Sequence, residues 1–258
     1  NDPAWSTKAR NKHITNAINH ISQMQLNSGA FSLWRGGHRP QPWLSMYAME
    51  FLQEAKAKGY DGPEAMLTNG MDYVENINVD TMSVMAYAMY VRAKYGNPDA
   101  GEARYLASKL ASKAYGVQSH VHLSATFSLL GDTQREQSIL SAIKGSNWTS
   151  WTRYDYRSRI RDKALMSYYA LKSESIAPAF KAKVLEQLEG LYSEAKTLGY
   201  ISTQEKGWLL RLASLNNKAK PLPQDLAISL DFRDFQLKDL ADYLADQTAW
   251  TSAKNTSV

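Results

Sequence analysis

The 258 residues include no cysteine. A disulfide framework, a thiolate-bound zinc or iron–sulfur site and a cysteine nucleophile are therefore all excluded within these residues. Glycine (14) and proline (8) are sparse and aperiodic, which excludes collagen-like and low-complexity structure. No apolar run approaches the roughly 18 residues that a membrane span needs, and mean hydropathy is −0.46, so no transmembrane segment is expected here. The start, NDPAWSTKARNK, lacks an apolar leader core and reads like a mature or excised terminus. A strong charge of one sign is also missing: 30 Lys+Arg against 25 Asp+Glu leave +5, and the basic residues are scattered. The densest basic stretch, RYDYRSRIRDK at 153–163, carries Asp155 and Asp162 and reads as a solvated helix entrance, with no nucleic-acid partner expected.

What is present is helical periodicity. Over residues 43–58, Trp43, Leu44, Tyr47, Ala48, Phe51, Leu52 and Ala55 fall on one face, with Glu50, Gln53, Glu54 and Lys56 off it. Pro42 stands where a proline costs a helix nothing, and Gly59 where a left-handed terminator is wanted. The same reading places helices near 10–26, 63–76, 81–95, 99–114, 118–130, 132–143, 160–173, 178–197 and 203–216, about ten in all. Short loops such as KGYDGP, YGNPD and LGDTQ suit antiparallel hairpins. No fixed repeat length appears, so an array of uniform repeats is not indicated. The expected fold is all-α, an α/α toroid of helical hairpins with the even helices inside. Pro221 and Pro223 end the helical pattern, and the alternation over 225–237 suggests a strand. The expected division is a toroid over residues 1–220 and a C-terminal β segment, 221–258, linking to a neighbouring domain.

Candidate chemistry is thin. The histidines His13, His20, His38, His120 and His122 include no pair at the i, i+4 spacing of a helical metal site, and a packed or surface role is expected for them. No GxSxG, GxxxxGK[ST] or strand-linked GxGxxG is present. No catalytic, cofactor-binding or metal-binding residue is therefore expected. Helical toroids also host carbohydrate-active enzymes, which need paired carboxylates in one cleft. Candidates for that alternative are Asp61, Asp80, Asp155 and Glu205, with Trp34, Trp43 and Trp148 as stacking platforms. Against it, Asp80 and Asp155 stand where caps or turns are expected, and Trp43 opens an apolar stripe. Asn147 begins NWT, a common chance match to a glycosylation acceptor.

Three segments in order carry a family resemblance. QMQLNSGAFSLWRGGHRPQPWLSMYAMEFLQEAKAKGY (23–60) resembles the glycine–aromatic loop and W-L-T-x-Y helix of the thioester domain of bacterial α2-macroglobulins. RSRIRDKALMSYYALKSE (157–174) is similar to that domain's R-D-x-A-L helix, and GYISTQEKGWLLRLASL (199–215) to its S-T-Q-E helix. The resemblance implies a non-enzymatic, broad protease trap, periplasmic and in many members lipid-anchored, acting on host or foreign proteases through a longer parent with macroglobulin and CUB-like domains. It implies a Cys–Gln thioester attacked by protease lysines; without cysteine these residues hold none. Either the chain is a piece beginning after that motif, or it comes from a member without it. ENINVD (75–80) has no equivalent of the complement acyl-transfer histidine. Ser202, Thr203, Gln204, Glu205, Trp34 and Trp43 are the candidate structural element of the thioester pocket, with Ser202 or Thr203 opening a helix and Glu205 answering it. If an upstream hairpin closes the ring, the apolar faces of 10–26 and 203–216 should be exposed.

Overall fold

A computed structural model describes residues 7–112, 115–143, 156, 158–198 and 200–216. Ten helices are found among them: α1 Thr7–Ser22, α2 Pro42–Ala57, α3 Glu64–Asn76, α4 Met82–Tyr95, α5 Ala100–Ser112, α6 Val117–Leu129, α7 Thr133–Ser141, α8 Arg159–Lys172, α9 Pro178–Thr197 and α10 Thr203–Asn216. The chain divides into two compact units, Asn1–Tyr156 and Arg157–Val258. The all-α class and the order of helices agree with the periodicity. The expected strand at 225–237, with the rest of 221–258, lies outside the described residues, as do Asn147, Trp148 and Asp155.

In the first unit, local chemistry sets the helix ends. Pro42 occupies the first turn of α2, and Gly59 closes it with φ +80 while Tyr60 N–H donates to the Ala55 carbonyl at 3.0 Å. Asp132 caps α7 by accepting from Arg135 N–H. Between α1 and α2 the glycine–aromatic loop is tightly built. Gln25 bridges to Phe31, and its amide donates to the carbonyls of Gly29 (3.1 Å) and Met66 (2.8 Å). Phe31 is buried, and its N–H donates to Ser45 Oγ on α2 at 2.8 Å. Gly29 is left-handed, and a Cβ there would lie 1.9 Å from the Asn69 carbonyl oxygen on α3, so only glycine lets loop and helix meet this closely.

Burial alternates along the chain as expected, with the even helices more enclosed. α4 and α6 are buried almost all round, whereas α3, α5 and α7 each bury one stripe. α2 packs on α4 and α4 on α6, while the odd helices cover them. Pairings along the helices give the direction: Tyr87 bonds Glu50, and one helical stretch later Lys94 pairs with Glu54 at 2.9 Å, so α2 and α4 run parallel. Met82, Met89, Leu106, Leu110, Leu123 and Phe127 form an apolar cluster where α4, α5 and α6 meet.

Three expectations need correction. The inner face of α2 is rotated from the stripe read in the sequence: Ser45, Met46, Met49 and Glu50 are buried with Trp43, Leu52 and Ala55, because α2 is flanked by α3 and α4 and by the Phe31 loop. Glu50, expected on the solvent side, is 1% exposed. Secondly, the stretch at 153–163 is not simply solvated, since Arg161 and Asp162 are buried. Thirdly, no large apolar side chain of 10–26 or 203–216 is exposed among the described residues. Ile18 is covered by the turn that carries Gly62, and Tyr60 Oη donates to Asn11 Oδ1 at 2.8 Å. Trp208 of α10 is met edge-on by Tyr168 at 5.7 Å and by the tilted ring of Tyr169 at 5.9 Å.

The second unit is a hairpin, α8–α9, with α10 returning onto α8. Arg159 and Lys163 at the start of α8 both pair with Glu194 near the end of α9, which fixes the antiparallel register. No described helix is long and apolar enough to cross a membrane.

Candidate functional site

The sequence-nominated element Ser202–Glu205 forms the entrance to α10. Ser202 Oγ accepts from Glu205 N–H at 3.3 Å, and Glu205 Oε2 accepts from Ser202 N–H at 2.7 Å. This is a reciprocal capping box: it satisfies two backbone donors that a helix start leaves open. Ser202 is the cap, and Thr203, left open as an alternative in the sequence, is the first helical residue and exposed. Gln204 is partly buried, and its Oε1 has no partner among the described residues.

The other oxygen of Glu205 accepts from Ser158 Oγ. Ser158 is itself the N-cap of α8 and accepts from Arg161 N–H at 3.3 Å. One carboxylate thus joins two helix starts, α8 and α10, which lie side by side and run parallel. The positive ends of both helices favour a negative charge there. Beside it, Arg161 Nε lies 2.6 Å from Asp162 Oδ1, with both side chains buried. The sequence signals the box through S-x-x-E spacing, but it does not signal Ser158 as partner, because that contact spans 47 residues.

Trp34 and Trp43 belong to the first unit and differ sharply from each other. Trp34 is 71% exposed on the turn after Phe31, its carbonyl held by Ser32 Oγ at 2.7 Å and Gly37 N–H at 2.9 Å. Trp43 is 2% exposed, stacked on Tyr47 at 5.5 Å and tilted against Tyr87 and Tyr156. It serves the core, as its place on an apolar stripe suggested. Behind it runs a polar layer the sequence did not reveal: Tyr87 Oη donates to Glu50 Oε2, and the Tyr87 ring stacks on His122 at 3.9 Å. His122 is fully buried, and His120, also buried, points Nδ1 at the Gly116 carbonyl, 3.1 Å away. The described residues contain no group of three potential metal ligands.

Both Glu205 oxygens are committed to a hydroxyl and a backbone N–H, and of the other carboxylates considered for sugar chemistry Asp61 and Asp80 are exposed in loops, while Asp155 lies outside the described residues. Glu194 is the acid whose charge the second unit holds most visibly: hydrogen bonds from Lys163 and then Arg159 keep its carboxyl below the usual glutamate range.

No family model matches the chain. Alpha-2-macroglobulin of Escherichia coli (strain K12) is 27% identical over 227 residues, 81% of this chain and 13% of that protein. Alpha-2-macroglobulin of Xylella fastidiosa (strain Temecula1) is 28% identical over 220 residues, 79% of this chain and again 13% of the relative. The crystal structure of native E. coli alpha-2-macroglobulin from domain MG7 to the C-terminus superposes with a TM-score of 0.70 at 25% identity, covering 86% of this chain and 36% of that one. The chain therefore spans about 13% of the length of the curated relatives it matches. By this likeness in sequence and in fold, the chain is homologous to a segment of bacterial alpha-2-macroglobulin and shares that segment's helical fold.

Proposed function

We propose that this chain is the thioester-type helical domain of a bacterial alpha-2-macroglobulin-like protease trap, a broad protease inhibitor that protects the cell envelope from the periplasm. In this reading residues 1–220 form the α/α toroid, and 221–258 lead into a neighbouring macroglobulin or CUB-like domain of a parent that a lipid can anchor to the inner membrane. Its partners are host or foreign proteases, met through the parent. The observation that carries the reading is the continuous likeness to alpha-2-macroglobulins over four-fifths of the chain, in sequence and in fold. The chain acts without turnover and without a cofactor. Ser202, Thr203, Gln204 and Glu205, in the second unit, are structural at the border of the family's thioester pocket, and Trp34 and Trp43, both in the first unit, are proposed for a supporting role within that unit. Having no cysteine, these residues supply the scaffold and not the activated ester.

The test uses the full protein that contains this chain. After incubation with trypsin or elastase, residual protease activity is read on casein and on a small chromogenic peptide. An enclosed protease loses large substrates and keeps small ones, so casein cleavage should fall at least tenfold with the small peptide still turned over. Equal retention of both activities would sink the proposal. The carbohydrate-enzyme alternative is tested by incubating the 258-residue chain with polysaccharides; reducing ends that appear, and vanish in Glu205→Gln, would revive it. The commitment of both Glu205 oxygens to capping speaks against that outcome.

A further inference from the structure

A cleft of about 370 Å³ opens between α5, α6 and α7 in the first unit, away from the capping box. Its space exists because three alanines, Ala107, Ala111 and Ala142, stand where larger side chains would fill it, and Leu110 and Ile139 make its walls apolar. Its polar lining comes from three helices: Arg104 and Ser108 of α5, His120 of α6, and Arg135 and Ser138 of α7, the two serines exposed. Arg104 of α5 is exposed and forms no ion pair with a described residue, although it lies close enough to Asp132 to help keep that carboxyl ionised. Arg135 of α7 is already paired with Asp132. His120 of α6 lines the cleft, yet its side chain belongs to a residue only 4% exposed.

The state of His120 follows from its surroundings. Nδ1 faces the Gly116 carbonyl, which can only accept, so Nδ1 carries the proton. Burial lowers the ring's pKa and keeps it neutral. Nε2 is then a bare acceptor, with no partner among the described residues. The ligand that complements these groups brings an N–H donor to the buried ring, a negative group to Arg104 and an apolar body to the walls, with the Ser108 and Ser138 hydroxyls beside it. A polyanion is disfavoured because Asp132 already pairs with Arg135 and offsets its charge, a cation because Arg104 and Arg135 both line the cleft, and a simple fatty acid because it has no N–H for His120.

We infer that this cleft binds an amide-linked monocarboxylate with an apolar side chain: an N-acyl amino acid, or the last residue of a peptide with a free C-terminus. The inference concerns the first unit alone and does not depend on the protease-trap reading.

The experiment is calorimetric titration of the 258-residue chain with N-acetyl-L-leucine and with N-acetyl-L-leucinamide, and with a pentapeptide ending in leucine as acid and as amide. One-site binding of an acid is expected, at least tenfold tighter than its amide. Arg104→Met, at an exposed position, should bring the acid down to the level of the amide with the melting temperature unchanged, and Arg104→Lys should keep part of the difference. Ala107→Phe should block every ligand by filling the cleft. Binding by the small acid alone points to a metabolite, and binding by the peptide acid as well points to a chain terminus; both uphold the site. Absence of binding by either acid, equal affinity for acid and amide, or an Arg104→Met variant that binds as tightly as the parent overturns it.

Discussion

Ser158 and Glu205, 47 residues apart, are joined by a hydrogen bond from the serine hydroxyl to the carboxylate, and each is at the same time the cap partner of its own helix. The starts of α8 and α10 are thereby coupled through two side chains, so a change at either should be felt at both helices.

Ser202→Ala should therefore lower stability by about 1 kcal/mol, the usual cost of a lost N-cap, whereas Thr203→Ala should stay within about 0.5 kcal/mol because its side chain is exposed. Chemical denaturation separates the two. In a double-mutant cycle, Ser158→Ala and Glu205→Gln should couple by about 0.5 kcal/mol or more. Additive effects would show that the two caps act independently.

Tyr87→Phe removes a donor from a carboxylate that is 1% exposed. The expected loss is about 1–3 kcal/mol, since a buried acceptor left short of a partner costs its desolvation. The aromatic stack on His122 remains in this variant, so packing alone predicts almost no change. Adding Glu50→Gln should cost less in the Tyr87→Phe background than in the parent.

For Glu194 the sign follows from its lowered pKa. The folded state favours the charged form, so its contribution is fully present above the ordinary glutamate value of 4.5 and is lost as pH falls through the folded value. Glu194→Gln should cost about 0.5–1 kcal/mol near neutrality, as expected of a partly screened surface network. The gap from the parent should close on acidification. Melting curves taken across that range provide the check; a gap that stays constant would rule out the ion pairs as its source.

Gly29→Ala and Gly59→Ala place the same methyl on two left-handed residues. At Gly59 the added carbon meets nothing, and only the backbone strain of about 1 kcal/mol is expected. At Gly29 it would lie 1.9 Å from a backbone oxygen of α3, so loop or helix must shift, and a loss above about 2 kcal/mol is expected. Thermal melts of the pair distinguish strain from collision.

The sequence by itself determined the helices, most of their ends and a box opened by Ser202 or Thr203 and answered by Glu205, because periodicity, Pro42, Gly59 and S-x-x-E spacing act within one or two turns of chain; the structure chose Ser202. Its lack of cysteine also determined that no thioester forms within these residues. Only the tertiary structure decided that Glu50 and Arg161 are inside, that His122 lies under Tyr87, and that Ser158 completes the cap of α10. A charged residue reads as solvent-facing when one helix is considered alone. Enclosure between neighbouring helices removes that face, and a buried charge then persists only beside the partners that distant segments bring to it.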